Sequence, residues 1–403
     1  MTICCDRIGV AKLTKMAFDG VNLRPLWHEL MEKVTDDAEG AGIGMDLSVI
    51  AQLLGDQATG LAIQKEVLGY QRLFRSPCAT PTPRLRVLAL AAEMDIGGNT
   101  PIEFLLEGSD VALTTLYVVP GQTWPNPLPQ HDVAIVVVPD DARTQETLTE
   151  IECHTGNWPC KILNPPMRIR QQDRDRLHRL LNAVPGLGIP ATVRIPRAGL
   201  AELSEETLPR WLEVGRFPLI ARPICSHAGR GLAKLETPSD IVGYLAERGE
   251  TEFFISRFVD YLSKDGMFRK YRLVCVDGRP YACHMAISEQ WKIWYLNADM
   301  ALSPDKRAEE AHFMATFDDE FAVRHAAALA EMTRRIGLDY FMVDCAETKT
   351  GELLVFEADN TAIVHNMDPP DIYPYKAPQM QKVFDAFVAM LYKRAGNPRA
   401  CAA

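Results

Sequence analysis

The chain has 403 residues, of which 47% are hydrophobic and 24% charged. This balance is typical of a folded globular protein and excludes disordered and collagen-like classes, and the length predicts two or three packed units. The 43 basic and 53 acidic side chains give a formal charge of −10. Such a balance argues against the basic surface that a nucleic-acid partner needs.

The first residues of the chain and the distribution of its cysteines predict the cellular location of the protein. No run reaches the roughly 20 apolar residues that span a bilayer, and Met1–Phe18 lacks the continuous apolar core of a secretory signal. We therefore expect no membrane partner. The 10 cysteines form no C-x-x-C pair, and Cys275, Cys283 and Cys345 lie in apolar, strand-like runs. Reduced, buried thiols in the cytoplasm are the simplest interpretation.

Residues 1–80 are predicted to form a helical N-terminal extension. Leu53, Leu61 and Val67 belong to a set with helical spacing, and a Pro/Thr-rich linker follows at 76–83. The sequence does not indicate what this extension does.

Residues 81–160 are predicted to form a small α/β unit with a partly parallel sheet. The predicted elements are a strand at 85–91, a helix near 101–107, and strands at 112–119 and 133–138. The turn Gly97-Gly98-Asn99-Thr100 lacks the G-x-G-x-x-G pattern, so no nucleotide site is predicted there.

Residues 161–394 show paired strands and are predicted to be α+β, followed by a loose tail at 395–403. The predicted helices lie at 173–182, 240–248, 322–336 and 379–394.

Two β-rich runs, 340–347 and 352–360, flank a short Gly-containing loop and predict a hairpin. If Glu347 faces Glu352, then Asp344 faces Val355 and Glu357 is its diagonal neighbour.

Because strand side chains alternate, Asp344, Glu357 and Asp359 then share one face. Three carboxylates on one face repel one another unless a cation lies between them, and oxygen ligands of this kind suit Mg²⁺. The alternative is a solvated acidic face on an edge hairpin, although the apolar flanking residues favour burial.

A second pattern lies upstream, where the predicted strand 217–223 carries Arg222. The loop 226–232 after it is rich in small residues and glycine, and a strand returns at 233–235. Backbone N–H groups of such a loop can approach a phosphate, and the arginine can neutralise its charge. A hairpin with a loose tip remains the alternative.

The ordered set of motifs resembles the ATP-grasp superfamily, most closely its glutathione-synthetase and RimK-like branch of carboxylate–amine ligases. The resemblance covers about 160–390. The matched segments are Asn164-Pro165-Pro166 with Asp173-Arg174, Ile220-Ala221-Arg222-Pro223 with its loop, 255–259, 272–278, Asp344, and 356–360.

The resemblance implies two α+β subdomains that enclose ATP, with a lid subdomain at about 190–258. Arg174 and Arg222 would contact the nucleotide phosphates, and Asp260 is a candidate for the ribose contact. The other implied nucleotide contacts are Ser226, His227, Gly229 and Gly231 in the loop, and Ser256, Arg257, Phe258 and Val259 in the hinge that reads adenine.

The resemblance also implies that Asp344, Glu357 and Asp359 hold one or two Mg²⁺ ions, for which Mn²⁺ can substitute. Asn360 is the alternative to Asp359. Arg272 would lie beside the transferred phosphoryl group as a catalytic residue, and its alternative is a surface arginine on an exposed strand face.

The implied activity is an ATP- and Mg²⁺-dependent ligase that activates a small-molecule carboxylate as an acyl phosphate and joins it to an amine, releasing ADP. Asn297 as a further catalytic residue, with Lys292 and His365, would face the substrates, although the aromatic run near 291–295 also suits core packing. A homodimer is one expectation. A kinase that stops at a phosphorylated product and a catalytically silent nucleotide-binding scaffold remain alternatives.

Overall fold

The computed structural model describes residues 4–35, 40–156, 158–213, 215–224, 226 and 229–396. Its strands form sheets of six, four and five strands, which helices cover. The predicted α+β class is confirmed, because antiparallel sheets with their own helices follow a mostly parallel first sheet.

The first sheet collects short segments from the first part of the chain. Its strands are β1 (Cys5–Asp6), β2 (Leu73–Arg75), β3 (Leu85–Ala91), β4 (Val111–Tyr117), β5 (Val133–Val136) and β6 (Ile162–Leu163). In the order β1-β2-β4-β3-β5-β6, the last four strands run parallel to one another. β3 and β5 are nearly continuous runs of buried apolar residues, as expected for a parallel sheet that is covered on both faces.

The helices of this part are α1 (Val10–Phe18), α2 (Arg24–Lys33), α3 (Ala41–Leu53), α4 (Gln57–Leu68), α5 (Ile102–Leu105) and α6 (Gln145–Thr155). The prediction of a helical extension over 1–80 missed β1 and β2. β2 pairs antiparallel with β4, and β1 pairs with β2, so this segment is built into the sheet. Strands of two and three residues carry too little alternation to be recognised from sequence.

The chain leaves the first sheet through α7 (Pro166–Ile169), α8 (Arg174–Leu181) and β7 (Leu187–Gly188). It then forms the second sheet, which is antiparallel in the order β10-β9-β11-β8. Its elements are β8 (Thr192–Pro196), α9 (Arg197–Ala201), β9 (Leu219–Pro223), β10 (Ala233–Leu235), α10 (Asp240–Ala246) and β11 (Glu252–Arg257). Ile195, Phe253 and Ile255 belong to an apolar core that is separate from the main one, so this sheet packs as a unit of its own.

The third sheet has the order β13-β12-β14-β15-β7, in which only β7 is parallel to its neighbour. Its remaining elements are β12 (Phe268–Val276), β13 (Arg279–Ser288), α11 (Pro304–Thr316), α12 (Phe321–Arg324), α13 (Ala326–Ile336), β14 (Tyr340–Glu347), β15 (Leu353–Asp359) and α14 (Lys376–Arg394). The helix predicted at 322–336 is thus interrupted at His325, whose ring bonds to Glu347 at 2.8 Å. Single 3₁₀ turns occur at Ala142–Thr144, Leu208–Arg210, Tyr295–Asn297 and Met300–Leu302.

Cys275, Cys283 and Cys345 are buried and, like the other cysteines that the model describes, form no disulfide. Over the same described ranges, no helix combines the length and the apolar character that crossing a bilayer requires.

Asn164 joins the first sheet to the third and explains the Asn-Pro-Pro motif structurally. It is fully buried and has a φ of 52°. Its Oδ1 accepts hydrogen bonds from the backbone N–H groups of Asp339 (2.9 Å) and Tyr340 (3.0 Å), and its Nδ2 donates to the Tyr340 carbonyl (2.8 Å). The side chain therefore satisfies three backbone groups at the start of β14.

Asn164→Ala is expected to lower the free energy of unfolding by about 2–4 kcal/mol, because it leaves those backbone groups unpaired. Asn164→Gly loses the same hydrogen bonds but tolerates the positive φ, so it should be about 1 kcal/mol less damaging. Urea-induced unfolding of the two variants measures both effects. Two variants that match the wild type would show that this junction is not held by Asn164.

Candidate active site

A cavity of about 1320 Å³ lies between the second and third sheets. β9 and β11 contribute side chains to one wall, and β12 to β15 contribute to the other. The first part of the chain also reaches the cavity, through α1 and residues 94–98. A concave site that is lined by residues from every part of the fold is a typical ligand-binding site.

Arg222 on β9 is a buried cation on the cavity wall, only 8% exposed. Its guanidinium donates to the hydroxyl of Ser226 (3.1 Å) and to the Ser226 carbonyl. Within the described ranges it forms no ion pair with a carboxylate. Burial, and secondarily the nearby charge of Arg174, lower the pKa of Arg222 to about 9. A desolvated cation of this kind favours an anionic ligand.

Arg174 is the second predicted phosphate contact and lines the same cavity. It begins α8, where its backbone N–H donates to the N-cap carboxylate of Asp173 (2.9 Å). Its side chain donates to the Phe356 carbonyl (3.2 Å) and ion-pairs with Glu357. Burial opposes the ionisation of Glu357, but Arg174 and the other nearby cations together outweigh it, and the pKa of Glu357 is lowered to about 2. Arg174 thus connects the predicted phosphate and metal positions.

The glycine-containing loop after β9 approaches the cavity through its backbone. Gly229 and Gly231 have φ values of 69° and 65°, and Gly229 lines the cavity. A Cβ on Gly231 would lie 2.6 Å from the Pro223 ring, so only glycine fits there. Ser226 is absent from the described cavity wall and instead holds Arg222 in place. The predicted contact His227 lies outside the described residues.

The predicted adenine hinge, residues 256–259, covers the end of β11 and the two residues after it, and all four residues line the cavity. The Phe258 ring packs edge-on against Trp291 at 5.7 Å. Asp260 is placed differently from the prediction. Its carboxylate pairs with Lys349 (2.5 Å) on the hairpin loop, and it is not among the described residues of the wall.

The hairpin of β14 and β15 has a different register from the predicted one. Glu347 pairs with Leu353, and Asp344 directly faces Glu357 rather than Val355. The reason is a bulge at Phe356, which has no pairing partner, combined with a five-residue connection at 348–352. Bulges re-aim side chains beside functional sites.

Asp344, Glu357 and Asp359 all line the cavity. Asp344, however, is fully buried, with Oδ1 2.8 Å from Arg272 Nε and Oδ2 3.0 Å from Arg272 Nη2 and 2.7 Å from Lys270 Nζ. Burial opposes ionisation of Asp344, but these two cations hold its pKa well below the usual range.

These contacts of Asp344 differ from the predicted site, in which three acids bind a metal ion. No group of three or more His, Cys, Asp or Glu side chains in the described ranges converges as a metal site. Asp344 instead contacts two cations, one of which, Lys270, the sequence reasoning overlooked. The available signal was its spacing, since Lys270 and Arg272 lie two residues apart on β12 and so share a face.

Asp359 and Asn360 were alternatives for one metal position, and they point to different parts of the fold. Asp359 lines the cavity, with Oδ1 accepting from the Thr361 backbone N–H (2.7 Å) and hydroxyl (2.8 Å). Asn360 is fully buried and donates from Nδ2 to the Val138 carbonyl (3.0 Å) in the first part of the chain. Only Asp359 is in position to meet a ligand in the cavity.

Lys292 and Asn297 both line the cavity, and both also make contacts that the sequence did not indicate. Lys292 donates to the Leu232 carbonyl at 3.0 Å, which places it beside the glycine-containing loop. The Asn297 amide closes its own turn, since Oδ1 accepts from the Trp294 N–H (2.8 Å) and Nδ2 donates to the Lys292 carbonyl (3.3 Å). Its contacts are those of a turn-stabilising residue.

His365 lies on the cavity wall between the rings of Phe18 (6.4 Å) and Phe104 (6.3 Å). Its Nδ1 accepts from the Met367 backbone N–H at 3.1 Å. Burial lowers the pKa of His365, against the opposing charge of Asp368. Phe18 belongs to α1, so the N-terminal helices, whose role the sequence left open, form part of this wall.

A buried polar network next to His365 was also missed. The ammonium of Lys376 contacts the Tyr295 hydroxyl, Asp368 (3.3 Å) and Glu310 (3.5 Å). Tyr375 donates to Glu310 at 2.6 Å. Lys376, Tyr295 and Asp368 line the cavity. The available signal was the position of Lys376 at the N-terminus of α14, where the helix dipole disfavours a cation that has no partner.

A scan against protein-family models finds no match, and a search of curated proteins finds none either. Several solved structures are similar. They include a RimK domain protein ATP-grasp from Sphaerobacter thermophilus (16% identity over 75% of this chain and 99% of that one, TM-score 0.43), and D-alanine–D-alanine ligase from Bacillus anthracis (12%, 77% and 99%, TM-score 0.48). D-cycloserine synthetase DcsG is also similar, at 15% identity over 76% of this chain and 99% of that one, with a TM-score of 0.43.

Proposed function

We propose that this chain is an ATP-grasp ligase that activates a small-molecule carboxylate as an acyl phosphate and joins it to an amine, releasing ADP and phosphate. The observation that carries the proposal is Arg222, a buried cation with no carboxylate partner in the described ranges, on the wall of a cavity between two sheets. Its charge calls for an anion, and the adjacent Arg174 adds a second cation for a triphosphate.

The nucleotide is placed by elements of both sheets. Residues 256–259 form the wall for adenine, and the backbone of 229–231 with Arg222 surrounds the phosphates. Lys292 reaches the same loop from the other side. Because the second sheet has its own core, we propose that residues of about 190–258 close over ATP as a lid.

Glu357 and Asp359 fit a divalent cation such as Mg²⁺. Both carboxylates face the cavity from β15, two residues apart. Mg²⁺ is commonly bound through one or two carboxylates together with substrate phosphates and water, and Mn²⁺ also suits such oxygen ligands. When bound, the ion supplies charge neutralisation on the phosphate oxygens.

The chemistry that follows uses two displacement steps. A carboxylate oxygen of the acid attacks the γ-phosphorus, the bond to the β-phosphate oxygen breaks, and ADP leaves. The amine then attacks the acyl carbon, phosphate leaves, and the amine proton is lost. Arg272 and Lys270 face the cavity beside Glu357 and stabilise oxygens whose charge changes during both steps.

Hydroxylamine can take the place of the unknown amine, so a test with it requires only that the acid substrate be found. The protein with Mg-ATP, hydroxylamine and a panel of carboxylic acids should form a hydroxamate from at least one acid, with ADP and phosphate in equal amounts. Arg222→Met with the same panel is the control. Release of AMP and pyrophosphate would contradict the proposal, and a stable phosphorylated acid that does not react with hydroxylamine would favour the kinase alternative.

A further inference from the structure

We infer that Asp344 is a positioning residue that holds Lys270 and Arg272 at the reacting phosphoryl group, and that the chain uses a single divalent ion on Glu357 and Asp359. This inference rests on the proposed function and assigns separate tasks to three acids that share one sheet face.

The contacts of Asp344 are those of an anchor. Both of its oxygens are engaged, with Arg272 in a two-pronged contact at 2.8 and 3.0 Å and with Lys270 at 2.7 Å. The carboxylate is fully buried. The two cations are partly exposed, at 22% and 17% of their side chains, and both line the cavity. The carboxylate of Asp344 is therefore inaccessible to solvent, whereas the two cations that it holds are accessible from the cavity.

A divalent ion at Asp344 would lie beside two positive side chains that already use its oxygens. It would have to displace them or bear their repulsion. Asp359 also lines the cavity from β15, and its Oδ1 accepts hydrogen bonds from the backbone N–H and the hydroxyl of Thr361. Glu357 shares one oxygen with Arg174. An ion is thus better accommodated on β15 than on β14.

Lys270 and Arg272 give the acyl phosphate two complementary partners. The guanidinium is a planar fork, whereas the ammonium is a compact point charge. Without Asp344, the two cations would repel each other across the site. Their fixed geometry is what the anchor contributes to phosphoryl transfer.

Titration with Mn²⁺, followed by electron paramagnetic resonance in the presence of the non-hydrolysable analogue AMP-PNP, tests the metal assignment without turnover. The wild type should bind one Mn²⁺ per nucleotide. Asp344→Asn should keep its Mn²⁺ affinity within about threefold, whereas Asp359→Asn should weaken it by at least the ~10-fold that even the loss of an outer-shell partner costs. The two variants carry the same chemical change on the same sheet face.

A second Mn²⁺ in the wild type that Asp344→Asn removes would overturn the inference, and so would a common loss of affinity in both variants. A wild type that binds no Mn²⁺·AMP-PNP would overturn the proposed function itself.

Lys270→Met gives a test that leaves neither Asp344 nor Arg272 unpaired, because the two keep each other as partners. We expect it to bind one Mn²⁺ as the wild type does, to lower kcat about 10- to 100-fold with little change in KM for ATP, and to be partly rescued by Lys270→Arg. A second Mn²⁺ appearing in Lys270→Met would show that the lysine merely blocks a metal position, and would overturn the inference.

Discussion

Arg272→Met is expected to lower kcat by about 10²–10³-fold while changing the dissociation constant for ATP by less than about threefold. The charge that Arg272 meets develops mainly during transfer, so its loss should affect the transition state more than the bound nucleotide. Asp344 retains Lys270 at 2.7 Å in this variant, so its charge remains paired. Single-turnover kinetics and calorimetry on the same preparation separate the two effects.

Arg272→Lys is the matched control, since it keeps the charge and loses the fork that contacts both oxygens of Asp344. Its kcat should fall between those of the wild type and Arg272→Met. An equal loss of ATP affinity in Arg272→Met, with turnover of the bound complex unchanged, would contradict the role assigned to this residue.

Arg222→Met is expected to weaken ATP binding by about 10²-fold, because charge-assisted hydrogen bonds to phosphate contribute about 1.5–3 kcal/mol. The same change should stabilise the ligand-free protein by roughly 1–2 kcal/mol, since it removes a buried cation that has no compensating carboxylate in the described ranges. Thermal unfolding with and without Mg-ATP measures both effects. Without ligand, Arg222→Met should have a higher Tm than the wild type, and Mg-ATP should raise the Tm of the variant by less than that of the wild type.

Arg222→Lys tests whether charge or geometry matters at this position. It should recover part of the ATP affinity but not the contacts to Ser226 that fix the guanidinium. A lower Tm for ligand-free Arg222→Met, together with unchanged ATP affinity, would mean that Arg222 supports the fold and does not bind a ligand.

The face shared by Asp344, Glu357 and Asp359 could be predicted from sequence because alternation along a strand is local. The pairing across the hairpin could not, because the five-residue connection and the bulge at Phe356 each shift the register by one residue. Such a shift depends on packing around the bulge, and the hairpin sequence alone does not encode it visibly.

Contacts between distant segments were the other part that sequence could not supply. Lys270 meets Asp344 only because β12 lies next to β14 in the sheet, and Phe18 reaches His365 only because the N-terminal helices fold against the cavity. Nothing local in the sequence places Lys292 against the Leu232 carbonyl either. Residue type and spacing indicated which side chains can bind a ligand or take part in catalysis, and the fold determines which of them are in contact.

A crystal structure of the protein with AMP-PNP and Mn²⁺ would show whether this cavity binds the nucleotide and the metal ion. We expect the triphosphate to lie between Arg174 and Arg222, adenine to lie against residues 256–259, and an anomalous Mn²⁺ peak to lie at Glu357 and Asp359. A nucleotide bound outside this cavity, or a triphosphate that contacts neither arginine, would contradict this expectation.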